Sequence, residues 1–243
     1  MYIAFFVIHE NFSNINDVYI NNLKEVIEKC ANDNNFVHIF FSSSKNVHKF
    51  DKLFKQTRVE LYHDQSPYID DIHSAYKVYT NYLGKTGYDY NWIIKIRPDI
   101  LFFDKNLFVN IRDKYDSSMI HARARYYVGK KHLTKHQRSN WGNSYKVFPL
   151  ERLKILDDQV YLIPFYYFAF AFSSNLQQKS DTTRARIKDL NDVDSFYNLD
   201  INQMVDSPEK RQTLIWNEYE IPLNIVELYC VKFSDMKLYN LYL

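Results

Sequence analysis

The chain has 243 residues, enough to bury a substantial core as one α/β domain. Its 31 Lys and Arg nearly balance 29 Asp and Glu, which excludes a global attraction to nucleic acid or anionic lipid and leaves any anion site to be local. With 21 Tyr and 18 Phe against only 4 Gly, beside much Asn, Lys and Ile, the composition reads as A/T-rich coding bias, so aromatic residues are weak clues to chemistry.

Met1 to Ile8 is apolar but too short for a signal peptide and lacks a basic leader, and Tyr2 to Ile8 within it is predicted as the first strand. A turn-rich stretch, His9 to Asn16, leads into an amphipathic helix predicted from Asp17 to about Asn32, with Val18, Leu23, Val26 and Ile27 lining one side. Phe36 to Phe41 is the second strand, ending in Ser42, Ser43 and Ser44, and Val47 to Lys55 reads as a short helix. Arg58 to Tyr62 gives a third strand. Ile72, Ala75, Tyr76 and Tyr79 have helical spacing, predicting a helix over Tyr68 to Leu83 that stops at Gly84 and Gly87.

The next strand is the most informative. Trp92, Ile93, Ile94 and Ile96 read as a strand covered on both faces, yet the run drives into Arg97, Pro98 and Asp99 before apolar residues resume through Phe103. Pro98 cannot donate to a sheet ladder and pushes Arg97 towards extended geometry, so the strand should break there and present Arg97 and Asp99 at its carboxyl edge. Ligands of open α/β sheets bind at that edge.

Beyond Phe103 the pattern loosens. Ser118 to Arg125 is predicted as a strand and Tyr126 to Tyr145 as a polar, basic loop. Asp157, Asp158 and Gln159 open a second apolar run, Val160 to Phe172, which turns from strand to helix after Pro164 and is too short to span a bilayer. A helix is expected from Asp194, another from Ser207 and Pro208, and an edge strand within Glu220 to Val226. Cys30 and Cys230 lie far apart and suit a reduced compartment at least as well as a disulfide, and the protein is expected to be soluble and cytoplasmic.

Strand and helix alternate as in a doubly wound, Rossmann-like sheet. No Gly-x-Gly-x-x-Gly and no Walker-type Gly-Lys-Ser/Thr is present, which argues strongly against dinucleotide oxidoreductases and P-loop phosphotransferases. The eight histidines are scattered, with no zinc-site spacing, and no serine or cysteine triad is suggested. The residues alone leave alternatives open. Arg97 and Asp99 also fit a plain ion pair, Asp157 and Asp158 a turn or helix cap, and Glu209 helix initiation. The basic loop carrying Arg123, Arg125, Lys130, Lys131, Lys135, His136 and Arg138, interleaved with Tyr126, Tyr127 and Trp141, fits a diphosphate clamp or a solvated surface.

Arg-Pro-Asp at the end of a fourth strand, after Tyr88-Asp-Tyr-Asn-Trp-Ile-Ile, resembles the GT-A-fold glycosyltransferases, and more narrowly bacterial and large-virus members with Arg-x-Asp in place of the metal-binding Asp-x-Asp. Ser74, Tyr76 and Lys77 stand in the preceding helix, Asp157, Asp158 and Gln159 downstream, and Pro208 and Glu209 near the end, as in that family. The resemblance implies a mostly parallel central sheet flanked by helices, with residues 1–104 as the nucleotide-sugar half and 105–243 as a looser acceptor-side half. It implies transfer of a sugar from a nucleotide-diphosphate donor to a glycan hydroxyl, with no nucleic-acid partner. Ile8, His9, Glu10, Ser74, Lys77, Lys95, Arg97 and Asp99 would bind donor, Asp99 would hold Mn²⁺ or Mg²⁺, and Asp158 or Asp157 would take the acceptor proton. The alternatives are a non-catalytic nucleotide-sugar or carbohydrate-binding module and, from the basic loop, a nucleic-acid-binding protein.

Overall fold

The computed structural model describes residues 1–32, 34–54, 58–68, 71–127, 153–171, 222–226 and 230–232. Its centre is a seven-stranded sheet in the order β3-β2-β1-β4-β7-β6-β8. β1 (Tyr2–Ile8), β2 (Phe36–Ser42), β3 (Val59–Asp64) and β4 (Tyr90–Ile96) run parallel. β5 (Ile100–Phe102) leaves this sheet and pairs antiparallel with β9 (Cys230–Lys232). β6 (Ile120–Tyr127) and β7 (Leu153–Pro164) pair antiparallel, β7 is also antiparallel to β4, and β8 (Leu223–Ile225) closes the edge parallel to β6. This is the mostly parallel α/β sheet flanked by helices that the sequence predicts.

Alternation along the central strands supplies both layers of the core, since successive side chains face opposite sides of a sheet. Ile3, Phe5, Val7, Ile39, Phe41, Ile94 and Ile96 pack on one face with α1 (Asp17–Cys30). Ala4, Phe6, Ile8, Phe40 and Ile93 face the other side, against Ala75 and Val78 of α2 (Asp71–Val78) and Phe168 of α5 (Phe165–Ala171). Every side chain from Ile3 to Ile8 is inaccessible to solvent, as expected where parallel strands are covered twice.

Several expectations change. The Asn16 side chain accepts from the Val18 N–H at 2.9 Å and caps α1, and that phase turns Val18 outward, 61% exposed, while Tyr19 and Ile20 join Leu23, Val26 and Ile27 inside. Of the helix predicted over 47–55, residues 47–54 are only turns and a 3-10 segment, Asp51–Leu53, although Val47, Phe50 and Phe54 are buried as helical spacing requires. α2 does not stop at Gly84. It passes through a π-helical turn, Tyr79–Leu83, held to β3 by the Tyr82 hydroxyl on the His63 carbonyl at 2.5 Å, into α3 (Gly84–Thr86). The chain then ends its helix at Gly87, whose φ is +68°. α4 (Ile111–Lys114) is a single turn. The helices expected after Asp194 and Ser207 lie outside the described residues, and none of the described helices is long and apolar enough to cross a membrane.

A Cβ built at Gly87 meets nothing within 4 Å, so replacement there probes the backbone alone. Gly87→Ala should lower unfolding stability by about 1 kcal/mol in urea titration, and Gly87→Asn by less, because Asn tolerates the left-handed region better. Equal stability of Gly87→Ala and wild type would contradict the left-handed cap.

Candidate active site

The carboxyl ends of the parallel strands are stitched together by backbone bonds. The His9 N–H donates to the Ser42 carbonyl at 3.1 Å, and the Ser43 N–H to the Asp64 carbonyl at 3.1 Å. The Glu10 carbonyl accepts from the Ser44 N–H at 3.2 Å and from the Ser43 hydroxyl at 3.1 Å, while the Glu10 side chain is exposed. Asp64 is buried and accepts from the hydroxyls of Ser42 at 3.2 Å and Ser66 at 2.9 Å. Ile8 is wholly buried, so it shapes the floor of this edge through packing.

Arg97 leaves the sheet at the point where Pro98 ends β4. Its N–H still reaches the Gln159 carbonyl of β7 at 2.9 Å. Its guanidinium then folds onto Asp99, with Nε on Oδ1 and Nη2 on Oδ2, both at 3.0 Å. This two-point fork fixes the planar cation in direction as well as in charge. The pair keeps contact with solvent, at 20% and 18% side-chain exposure, and is therefore not sealed beneath the core.

His9 joins this group. Burial lowers its pKa below the usual 6.5, Asp99 opposes that shift, Arg97 adds to it and Asp71 opposes it more weakly, so His9 shares one electrostatic neighbourhood with all three. Its Nδ1 lies 3.1 Å from the Asn11 carbonyl and 3.2 Å from the Asn11 N–H, and the tautomer decides which it uses. Tyr19, from α1, is buried, and its pKa is raised first by burial and then by Asp99.

Beneath this layer Lys95 is completely inaccessible, with Nζ on an Asp71 oxygen and 5.5 Å from the centre of the Tyr161 ring. Asp71 opens α2 and also accepts the Tyr68 hydroxyl at 2.6 Å. A buried ammonium on an apolar strand requires such a counter-charge. Lys95 thus bears on the edge through Asp71. Ser74 is buried one turn further along α2, and Lys77 is half-buried.

Asp157 and Asp158 do not sit in a turn. β7 begins at Leu153, so both lie within a strand, and its register with β6 jumps there. Between the pairs Ala122–Tyr161 and Ala124–Leu156, β7 inserts residues 157–160 opposite Arg123 alone. That bulge sits beside the Gln159 carbonyl that holds the Arg97 N–H, and bulges of this kind bend a strand and re-aim its residues. Arg123, Arg125, Tyr126 and Tyr127 are placed in β6, whereas Lys130, Lys131, Lys135, His136, Arg138, Trp141, Pro208 and Glu209 lie outside the described residues.

Sequence reading missed Asp71, Tyr19, Tyr68 and Asp64. A signal for Asp71 was present: a lone Lys in an apolar strand demands a buried carboxylate. Cys30 offers no nucleophile, since burial pushes its thiol up to about 12. A cavity of about 730 Å³, lined by Asn34, Asn91, Trp92, Asn110, Arg112 and Asp113, lies at the opposite, amino edge of the sheet, away from these groups.

Fold and edge together define an α/β protein with a mostly parallel sheet and a charged, partly open site where β1 and β4 end. No protein-family model matches the chain, and no curated protein does. Among solved structures, it is similar to mouse xyloside xylosyltransferase 1 in its apo form, with a TM-score of 0.47 and 10% identity over 93% of this chain and 84% of that one. It is also similar to a glycosyltransferase involved in glycosylation of the major capsid of PBCV-1, with a TM-score of 0.38 and 10% identity over 93% and 82% of the two chains.

Two measurements check these surroundings. Lys95→Met strands the Asp71 charge inside and should cost about 3–5 kcal/mol, most of it recovered in Lys95→Met/Asp71→Asn; a surface-like effect of the single change would contradict burial of the pair. Burial also lowers the pKa of His38, whose Nδ1 lies 2.6 Å from the Tyr90 hydroxyl. His9 and His38 therefore bind fewer protons folded than unfolded, and stability should fall as pH drops below 6.5. Urea midpoints from about pH 7.5 to about pH 5 should show a shallower slope in His9→Gln.

Proposed function

We propose that the chain is a GT-A-type glycosyltransferase that moves a sugar from a nucleotide-diphosphate donor to a hydroxyl of a glycan acceptor. The observation that carries this reading is the two-point Arg97–Asp99 fork, fixed yet partly exposed where β4 ends, directly beside the β7 bulge that holds Asp157 and Asp158. A departing nucleoside diphosphate gains negative charge as the glycosidic bond breaks, and a pre-aimed cation lowers that barrier with little reorganisation. Arg97 is that cation and Lys77 a second one.

His9 and the exposed Glu10 follow β1 and face the nucleotide, with Ser74 a donor contact from α2. Burial keeps His9 neutral near pH 7, so it serves as a hydrogen-bonding group. Lys95 acts as a positioning residue that holds Asp71 and with it the start of α2. Asp158, or Asp157 beside it, accepts the acceptor hydroxyl proton as the oxygen attacks the anomeric carbon. Residues 1–104 form the donor half and residues 105–243 the acceptor half.

A divalent ion fits this set at Asp99. Both Asp99 oxygens accept from Arg97, but each carboxylate oxygen has a second lone pair, so Asp99 could hold Mn²⁺ or Mg²⁺ together with diphosphate oxygens and waters. When bound, the ion neutralises part of the leaving-group charge.

A thermal-shift screen of UDP-, GDP- and dTDP-sugars, with a CMP-sugar as the monophosphate control, with and without Mn²⁺ identifies the donor, because a ligand that binds only the folded form raises its melting temperature. With that donor, Asp99→Ala should abolish turnover, including hydrolysis without acceptor, while circular dichroism stays unchanged. Wild-type turnover in Asp99→Ala removes the fork from the mechanism. Donor binding by the wild type with neither transfer nor hydrolysis would instead define a binding module.

A further inference from the structure

Two histidines that look scattered in the sequence converge in the fold. His48 lies in the turn after β2, Asp51 opens the following 3-10 segment, and His63 is on β3. His48 Nδ1 is 3.0 Å from Asp51 Oδ2, and His63 Nε2 is 2.7 Å from Asp51 Oδ1. All three ligand atoms lie within 4.8 Å of one another, and the two imidazole centroids are 4.1 Å apart. From this geometry we infer that His48, Asp51 and His63 form a binding site for one zinc-class divalent ion, separate from Asp99.

Two imidazoles and one carboxylate are the donor mixture of three-ligand zinc sites, with the fourth position left to water or another group. Metal–ligand bonds of about 2.0–2.2 Å in a tetrahedron separate ligand atoms by about 3.4 Å, so the observed cluster needs only small adjustments to close on an ion. Two of the ligands are already held. His63 stacks on the Phe41 ring at 5.9 Å with planes 22° apart, and Asp51 follows Phe50, which is buried in the core. His48, with 67% of its side chain exposed, is the ligand with the most room to adjust. The nitrogen pair favours Zn²⁺, Co²⁺ or Ni²⁺ over Mg²⁺, which prefers all-oxygen surroundings.

An ion here would clip the β2–β3 connection onto the edge strand. His48 also lines a cavity of about 470 Å³ with Ser13, Asn46, Val47, Lys49 and Gln65, so a group occupying that cavity lies beside the ion. The bare alternative is a pair of Asp–His hydrogen bonds with no metal affinity.

Untagged protein dialysed against a chelator should be titrated with Co²⁺ while its visible absorption is followed, and with Zn²⁺ by calorimetry. One equivalent should bind, with tetrahedral Co²⁺ bands and a raised melting temperature. His48→Ala, chosen because its side chain is exposed, and His63→Gln should each weaken Co²⁺ binding by at least about tenfold, while Asp99→Ala leaves it unchanged. Excess Mg²⁺ should not displace the Co²⁺. Absence of saturable binding, wild-type affinity in both histidine variants, or displacement by Mg²⁺ would each overturn the site.

Discussion

A fully desolvated ammonium in the central strand β4 governs the geometry of the sheet edge. Lys95 cannot be buried without a counter-charge, and its partner Asp71 is the first residue of α2. The contact therefore fixes where α2 starts relative to β4, one layer below Arg97. The Tyr68 hydroxyl completes the set from the segment that precedes the helix. With α2 held there, the start of the helix, the end of β1 and the end of β4 meet in one place.

Above that layer, backbone chemistry determines what is presented. Pro98 ends the ladder of β4 after Arg97 has made its bond to β7, and the chain departs to pair as β5 with β9 in a second, smaller sheet. The two charges flanking Pro98 close on each other through two bonds, and the pair stays partly exposed. The bulge in β7 lies against the same point, so a strand irregularity and a strand ending coincide. Polar groups gather at that junction, at the end of the ladder, without entering the core.

Much of this was legible in the sequence, and the reasons are local. β1 is a continuous apolar run and β2 and β4 are predominantly apolar, broken by His38 in β2 and Asn91 and Lys95 in β4, because both of their faces are covered, and their limits follow closely from where the apolar residues stop. The apolar run begins only at Val160, after Asp157 and Asp158, yet β7 starts at Leu153, because a bulge takes residues 157–160 into the strand. The 47–55 segment shows that periodicity reports burial more faithfully than hydrogen bonding: Val47, Phe50 and Phe54 face inward without forming an α-helix. Val18 faces solvent although its spacing from Leu23 and Val26 suggests the inner side, because the Asn16 cap sets the phase of α1. The pairing of Lys95 with Asp71 and the meeting of His48 with His63 depend on tertiary proximity, which no local spacing encodes.

In the proposed function, the Arg97–Asp99 edge receives the diphosphate of the donor. The most direct measurement of this is calorimetric titration of free nucleoside diphosphates into wild type and Arg97→Met at fixed ionic strength. Loss of charge-assisted hydrogen bonds to the phosphates should weaken the best-bound nucleotide by at least about tenfold in Arg97→Met. Equal affinity in the two proteins would contradict the assignment of this edge to the donor.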